Sequence, residues 1–185
     1  MPISTNLKHQ FLIAMPNQAE GYFGGTVTYI CEHNDEGAMG LMINRPMDLA
    51  LHQLLEQMGM GRSVEHSILV MEGGPINNER GFILHTDDAQ YESSLALADG
   101  LMLTTTRHIL EAIGAGKGPE KFLVALGYTG WSEGQLESEI AENAWLSCPA
   151  SNEVLFDISF EQRVQKAASS LGIDFSLMTS EAGHA

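Results

Sequence analysis

TVTYICEHNDEGAMGLMINRP, Thr26 to Pro46, decides the class of fold. Val27, Tyr29 and Cys31 alternate with Thr28, Ile30 and Glu32, and Asn34 to Gly37 supply turn residues. A nearly all-apolar run from Ala38 to Asn44 then follows. This reads as a β-hairpin whose second strand is central in a sheet. The run ends in Asn44-Arg45-Pro46, one of only five arginines placed at the mouth of a buried strand.

Outward from this hairpin, Phe11 to Met15 reads as a first short strand closed by Pro16. Downstream, Asp48 is placed to cap a helix carrying Leu51, Leu54, Leu55 and Met58 at the helical spacing, with Gly59 as its stop. Ser67–Met71, Gly81–His85, Leu101–Thr104 and Phe122–Tyr128 read as strands, and Ile109, Leu110 and Ile113 as the buried stripe of a second helix. Ser132 with Gln135 and Ser159 with Gln162 have the capping-box spacing of two further helices, the last stopped by Gly172. Between them, AWLSC and VLFDI read as extended. Strands come first and alternation later, with hairpins among crossovers, so the expected class is α+β with a mixed sheet covered by helices.

The 185 residues suit one domain, with an ordered core at about 7–178 and a small polar tail, 179–185, that frays. Twenty-four acids against nine lysines and arginines leave a formal charge of −15, and protonating all seven histidines would leave −8. No lysine or arginine lies between Lys121 and Arg163. Nucleic-acid binders draw affinity from phosphate neutralisation by a basic face, so neither DNA nor an anionic membrane is an expected partner. Cys31 and Cys148 are too few for a disulfide framework or a four-cysteine zinc site. The N-terminal apolar run is too short for a signal segment, which places the chain in the cytoplasm with reduced thiols.

Motifs of known mechanism fail on inspection. GAGKGPEK, Gly114 to Lys121, has Glu111 where a phosphate loop needs its first glycine and Gly118 where it needs Ser or Thr. No dinucleotide, zinc-hydrolase or serine-elbow signature occurs, and neither a metal nor a cofactor is expected. Cys31-Glu32-His33 could pair a thiolate with an imidazole, but Cys31 continues the apolar face and reads as an inert core thiol. A redox role would need Cys31 and Cys148 to meet. Trp131 reads as a core plug whose N–H needs a partner, and the Glu133, Glu137 pair as a solvated acidic face.

Two places remain. His85, followed by Thr86-Asp87-Asp88, has the chemistry of a general base oriented by a carboxylate. Arg45 and Arg80 occupy turns after apolar strands, and Gly73 and Gly74 between them offer bare backbone N–H groups. If these turns share one end of the sheet, Asn44, Arg45, Gly73, Gly74, Arg80 and His85 form a small positive pocket for a phosphate or carboxylate compound. The structural alternative is an Arg45–Glu72 pair that merely pins the loop.

Taken together, FLIAMP, the Glu32-His33-Asn34 turn, GLMINRP, Gly73-Gly74-Pro75 with RGFILH, LGYTGWSEGQLESEI and NAWL resemble the YqgE/AlgH family of bacterial proteins, from Leu7 to the terminal AGHA. The resemblance implies a branched, partly barrel-like sheet surrounded by helices. It also brings the label of a transcriptional regulator, but no set of catalytic residues. Three functions stay open: a non-enzymatic binding or regulatory protein acting through a small anion or a protein partner, an enzyme using His85 and the arginines, and a direct DNA-binding regulator, which the charge disfavours.

Overall fold

The computed structural model describes residues 6–15, 21–60, 64–88 and 91–172, so the tail expected at 179–185 lies outside the described residues. Backbone contacts gather into two compact units, 1–44 with 129–185, and 45–128.

In the first unit, β1 (Gln10–Ala14) lies between β10 (Trp145–Pro149) and β2 (Val27–Asn34). β2 pairs with β3 (Gly37–Met42), and β3 with the last residues of β9 (Phe122–Ser132). All these pairs are antiparallel. The expected hairpin is present, but its alternation is broken. Register slips between Ile30↔Gly40 and Glu32↔Met39, so Cys31 is a bulged extra residue, and Val27 to Cys31 are all buried.

Helices on both faces of the sheet explain this. α3 (Gln135–Ala141) sets Leu136 into a cluster with Leu12, Ile30, Trp131 and Trp145, while α4 (Arg163–Ser169) packs Ala167 and Ala168 against β1 and β2. A strand covered on both sides reads as a continuous apolar run, not an alternation.

In the second unit the order is β4 (Pro46–Ala50), β5 (Leu69–Glu72), the first part of β9, β6 (Ile76–Thr86), β8 (Leu101–Thr104) and β7 (Ser94–Ala96). β5 and β9 run parallel, Met71↔Ala125 and Glu72↔Leu126, and the other pairs are antiparallel. Leu51 and Leu55 of α1 (Leu51–Gln57) and Ile109, Leu110 and Ile113 of α2 (Arg107–Gly114) pack with Val70, Ile83 and Val124. The mixed α+β class expected from the element order is what the chain adopts. No helix among the described residues is long and apolar enough to cross a membrane.

Several local expectations are corrected. Asp48 does not cap α1, because it lies exposed within β4. The helix begins after Ala50, whose N–H is taken by Gln53 Oε1 at 2.9 Å. Of VLFDI, 154–158, only Ile158 is extended, because Glu153–Asp157 form a wide π-type helical turn that buries Val154 and Leu155. An apolar run as short as Val154-Leu155-Phe156 fits a buried strand or a buried helical turn equally, and periodicity cannot separate them. Gln135 does accept the N–H of Ser132 at 2.9 Å, yet the residue preceding α3 is Gly134, in the left-handed region at φ 74°. Ser159 opens a short 3-10 turn, Phe160–Gln162, ahead of α4 without a side-chain cap.

Candidate functional site

The residues singled out above are placed with different partners. Asn44 belongs to the first unit, where its Oδ1 accepts the Val27 N–H at 2.8 Å and its Nδ2 donates to the Gly25 carbonyl at 2.9 Å. Both ends of its amide thus tie β3 to the entry of β2. In the second unit, Arg45 Nη1 lies 3.7 Å from Glu72 Oε2, and the Glu72 N–H donates to the Arg45 carbonyl at 2.7 Å. This is the structural alternative raised above for Arg45. Gly73 donates its N–H to Leu126 at 2.8 Å, continuing the β5–β9 pairing. A side chain on Gly127 (φ 77°) would run into the Gly74 carbonyl and the backbone of Asn78, so the Gly74–Asn78 stretch crosses β9 at glycine-only distance.

That crossing exposes Arg80. β6 pairs with β9 at Ile76↔Tyr128 and again at Gly81↔Leu126, so the four residues between face the single position of Gly127 and spread outward. Asn77, Asn78, Glu79 and Arg80 line an open depression of about 490 Å³, with Asn77 itself left-handed at φ 48°. Arg80 Nη2 donates to Thr105 Oγ1 at 3.3 Å, and its guanidinium lies 5.8 Å from the centre of the Phe82 ring. Thr105 precedes Thr106, the N-terminal flank of α2. The Thr106 hydroxyl turns away to donate to the Glu92 carbonyl at 3.2 Å instead of capping the helix.

His85 is fully buried on β6, its ring edge-on to Tyr91 with centroids 5.6 Å apart. Nδ1 lies 2.7 Å from the Thr86 carbonyl and Nε2 2.7 Å from Thr104 Oγ1, which in turn lies 2.6 Å from Ser94 Oγ. The orienting group is therefore a backbone carbonyl and not the carboxylate expected from sequence. Asp88 is occupied, accepting from the Thr86 hydroxyl and from the Glu120 N–H at 3.0 Å. Burial holds the His85 pKa below its ordinary value, against the Thr86 carbonyl and the charges of Asp88 and Asp87.

The two cysteines do not meet. β1 separates β2 from β10, and Cys148 is level with Tyr29, two residues short of Cys31, so the cysteines are more than two strand spacings apart, over about 9 Å and beyond the Cα reach of a disulfide. Burial raises both thiols, that of Cys31 with help from Glu32 and against Lys8, that of Cys148 against its Ser170 hydrogen bond. Native protein treated with iodoacetamide near neutral pH is expected to gain no adduct by mass spectrometry, and denatured protein two. His33, two residues from Cys31, accepts the Leu7 N–H on Nδ1 at 2.8 Å and faces Glu137 Oε2 at 3.4 Å. No group of three or more metal-ligating side chains occurs among the described residues.

Sequence reasoning missed two features of the first unit. Glu139 Oε1 accepts both indole N–H groups, from Trp131 at 3.0 Å and Trp145 at 2.8 Å, and its Oε2 takes the Gln135 amide at 2.8 Å. Trp131 is the core plug expected, and Glu139 is the partner its N–H required. Arg163 is 8% exposed and donates to the carbonyls of Val154, Leu155 and Ile43. The one sequence signal for Arg163 is that it is the first cation after the acidic stretch that begins beyond Lys121.

Against known proteins, a family model described as AlgH-like matches residues 11–176. A UPF0301 protein of Pseudomonas entomophila strain L48 is 52% identical over 97% of this chain and 96% of its own length. A UPF0301 protein of Thiobacillus denitrificans is 50% identical over 98% and 99%. The solution structure of the AlgH protein from Pseudomonas aeruginosa superposes with a TM-score of 0.80 at 48% identity, covering 100% of this chain and 99% of that one. A crystal structure of a Corynebacterium diphtheriae protein, at 20% identity and a TM-score of 0.71 over 90% of this chain and 89% of that one, shares the fold.

Proposed function

The chain belongs to the AlgH-like family, and from that premise we propose that it is a cytoplasmic binding and regulatory protein that takes up a small anion at the face around Arg80. The observation carrying this reading is the depression itself. An exposed guanidinium stands there beside two asparagine side chains and the Glu79 carboxylate, next to the Thr105 hydroxyl, so the anion binds on the guanidinium and amide side and Glu79 opposes it. Planar, forked N–H donors beside neutral amides suit a phosphate or carboxylate oxygen. Glu72 partly neutralises Arg45, so Arg80 is the better anchor of the two arginines. Regulation through direct DNA contact is disfavoured by the charge of −15, which repels a polyanion, whereas one small anion needs only local donors.

Titration with inorganic phosphate followed by thermal melting tests the reading. At a phosphate concentration 100 times the Kd, binding stabilises the folded state by about 2.7 kcal/mol, which is a rise of several degrees. Arg80→Ala is expected to remove the rise. A melting curve that stays flat across phosphate, nucleotides and dicarboxylates would exclude the anion and leave a protein partner as the occupant of this face. The enzyme reading built on His85 retains one observation in its favour, the chain of hydroxyls leading from that ring to Ser94.

A further inference from the structure

The direction of every hydrogen bond in the His85 chain follows from its terminus. A backbone carbonyl only accepts, so the ring nitrogen facing Thr86, Nδ1, carries the proton. In the neutral ring Nε2 must then accept, and the Thr104 hydroxyl must donate to it. Having spent its proton, Thr104 Oγ1 accepts from Ser94, whose Oγ–H therefore points inward. Ser94 stands on β7, paired with β8 and with no strand partner on its other side among the described residues, and it is half-buried where Thr104 and His85 are fully buried. The result is a serine whose proton is committed to a base through one intervening hydroxyl and whose oxygen lone pairs meet no donor among the described residues.

We propose that Ser94 is a nucleophile served by a Thr104–His85 proton relay, and that it accepts an acyl group from an activated ester. This goes beyond anion binding at Arg80 and does not depend on it. In the acylation step the Ser94 Oγ bonds to the ester carbonyl carbon while the Ser94 proton passes to Thr104 Oγ1 and the Thr104 proton passes to His85 Nε2. The carbonyl electron pair moves onto its oxygen, then returns as the alkoxide or phenoxide leaves. The proton on His85 Nε2 passes to Thr104 Oγ1, whose own proton goes to the departing oxygen because Ser94 Oγ is now bonded to carbon, so one ester and one hydroxyl become one acyl-serine and one alcohol.

The imidazolium formed in between is held by the Thr86 carbonyl, with the charges of Asp87 and Asp88 acting on it and the Tyr91 ring at its edge. Ser93, in the left-handed region at φ 60°, turns the backbone immediately before the nucleophile.

The full chain treated with p-nitrophenyl acetate tests this by intact mass and peptide mapping. One acetyl adduct is expected, on Ser94, and none on Ser94→Ala. Thr104→Val exchanges the relaying hydroxyl for a methyl of the same shape and is expected to slow acylation on the order of 10²-fold, as for loss of general-base help. Thr104→Ser is expected to restore the rate, and melting curves confirm that each variant is folded. The wild-type rate should follow the titration of a base whose midpoint lies below the ordinary histidine value of 6.5, and be flat above it. An unassisted serine would instead react faster with every unit of pH. No adduct on the wild type, an adduct mapped to another residue, or a folded Thr104→Val labelled at the wild-type rate would each overturn the proposal.

Discussion

Arg163→Met is expected to lose about 3–5 kcal/mol of stability, roughly 10–15 °C of melting temperature for a chain of this length, although the replacement is unbranched and apolar. The π-type turn at Glu153–Asp157 is abandoned at Ile158, which is extended at φ −120° and ψ 161°, so the carbonyls of Val154 and Leu155 have no helical N–H ahead of them. Arg163 Nε and Nη2 take those two carbonyls at 2.9 and 3.1 Å, and Nη1 takes the Ile43 carbonyl at the end of β3. Burial pushes the guanidinium down to about 10, so it stays charged at neutral pH and all its bonds are charge-assisted. Methionine fills the space of the arginine stem but leaves the three buried acceptors empty. Arg163→Lys keeps the charge but offers a point donor in place of a planar fork, and should recover part of the loss. A methionine variant that melts within about 1 kcal/mol of the wild type would show that water satisfies these carbonyls.

Glu139→Ala is expected to cost about 2–4 kcal/mol, because two indole N–H groups in the core lose their common acceptor at once. Trp131 and Trp145 are the only tryptophans in the chain, so intrinsic fluorescence reports this site alone. Glu139→Gln keeps one carbonyl oxygen for both indoles but turns an amide toward the Gln135 amide, so a smaller loss is expected. Two-dimensional NMR checks the cause directly. Both indole N–H resonances should shift and exchange faster in the alanine variant, and unchanged indole signals would place the stabilisation elsewhere.

The candidate site was legible in part. Arg80 stands out because a cation in a polar segment between apolar strands has few structural reasons to be there, and it is exposed in a depression. Arg45 carries the same signal and is paired with Glu72 across the β4–β5 ladder, a contact that depends on how Pro46 meets Met71. Asn44, adjacent in the chain to Arg45, uses both ends of its amide within the other unit. His85 was noticed for the aspartates that follow it. Its side-chain partner Thr104 comes from β8 and the next hydroxyl, Ser94, from β7, which is three residues long with no pattern to announce it.

Composition, charge sign and short-range spacing are properties of neighbouring residues, so the sequence alone determined the mixed α+β class, most strands, the helix stripes of α1 and α2, and the formal charge of −15. The tertiary structure alone decided which donors meet which acceptors. Arg163 reaches a carbonyl 120 positions away, and Glu72 meets Arg45 only after two strands fall into register. Such partners follow from long-range pairing, because a buried polar group must be satisfied wherever the folded chain brings an acceptor, and no local periodicity records that choice.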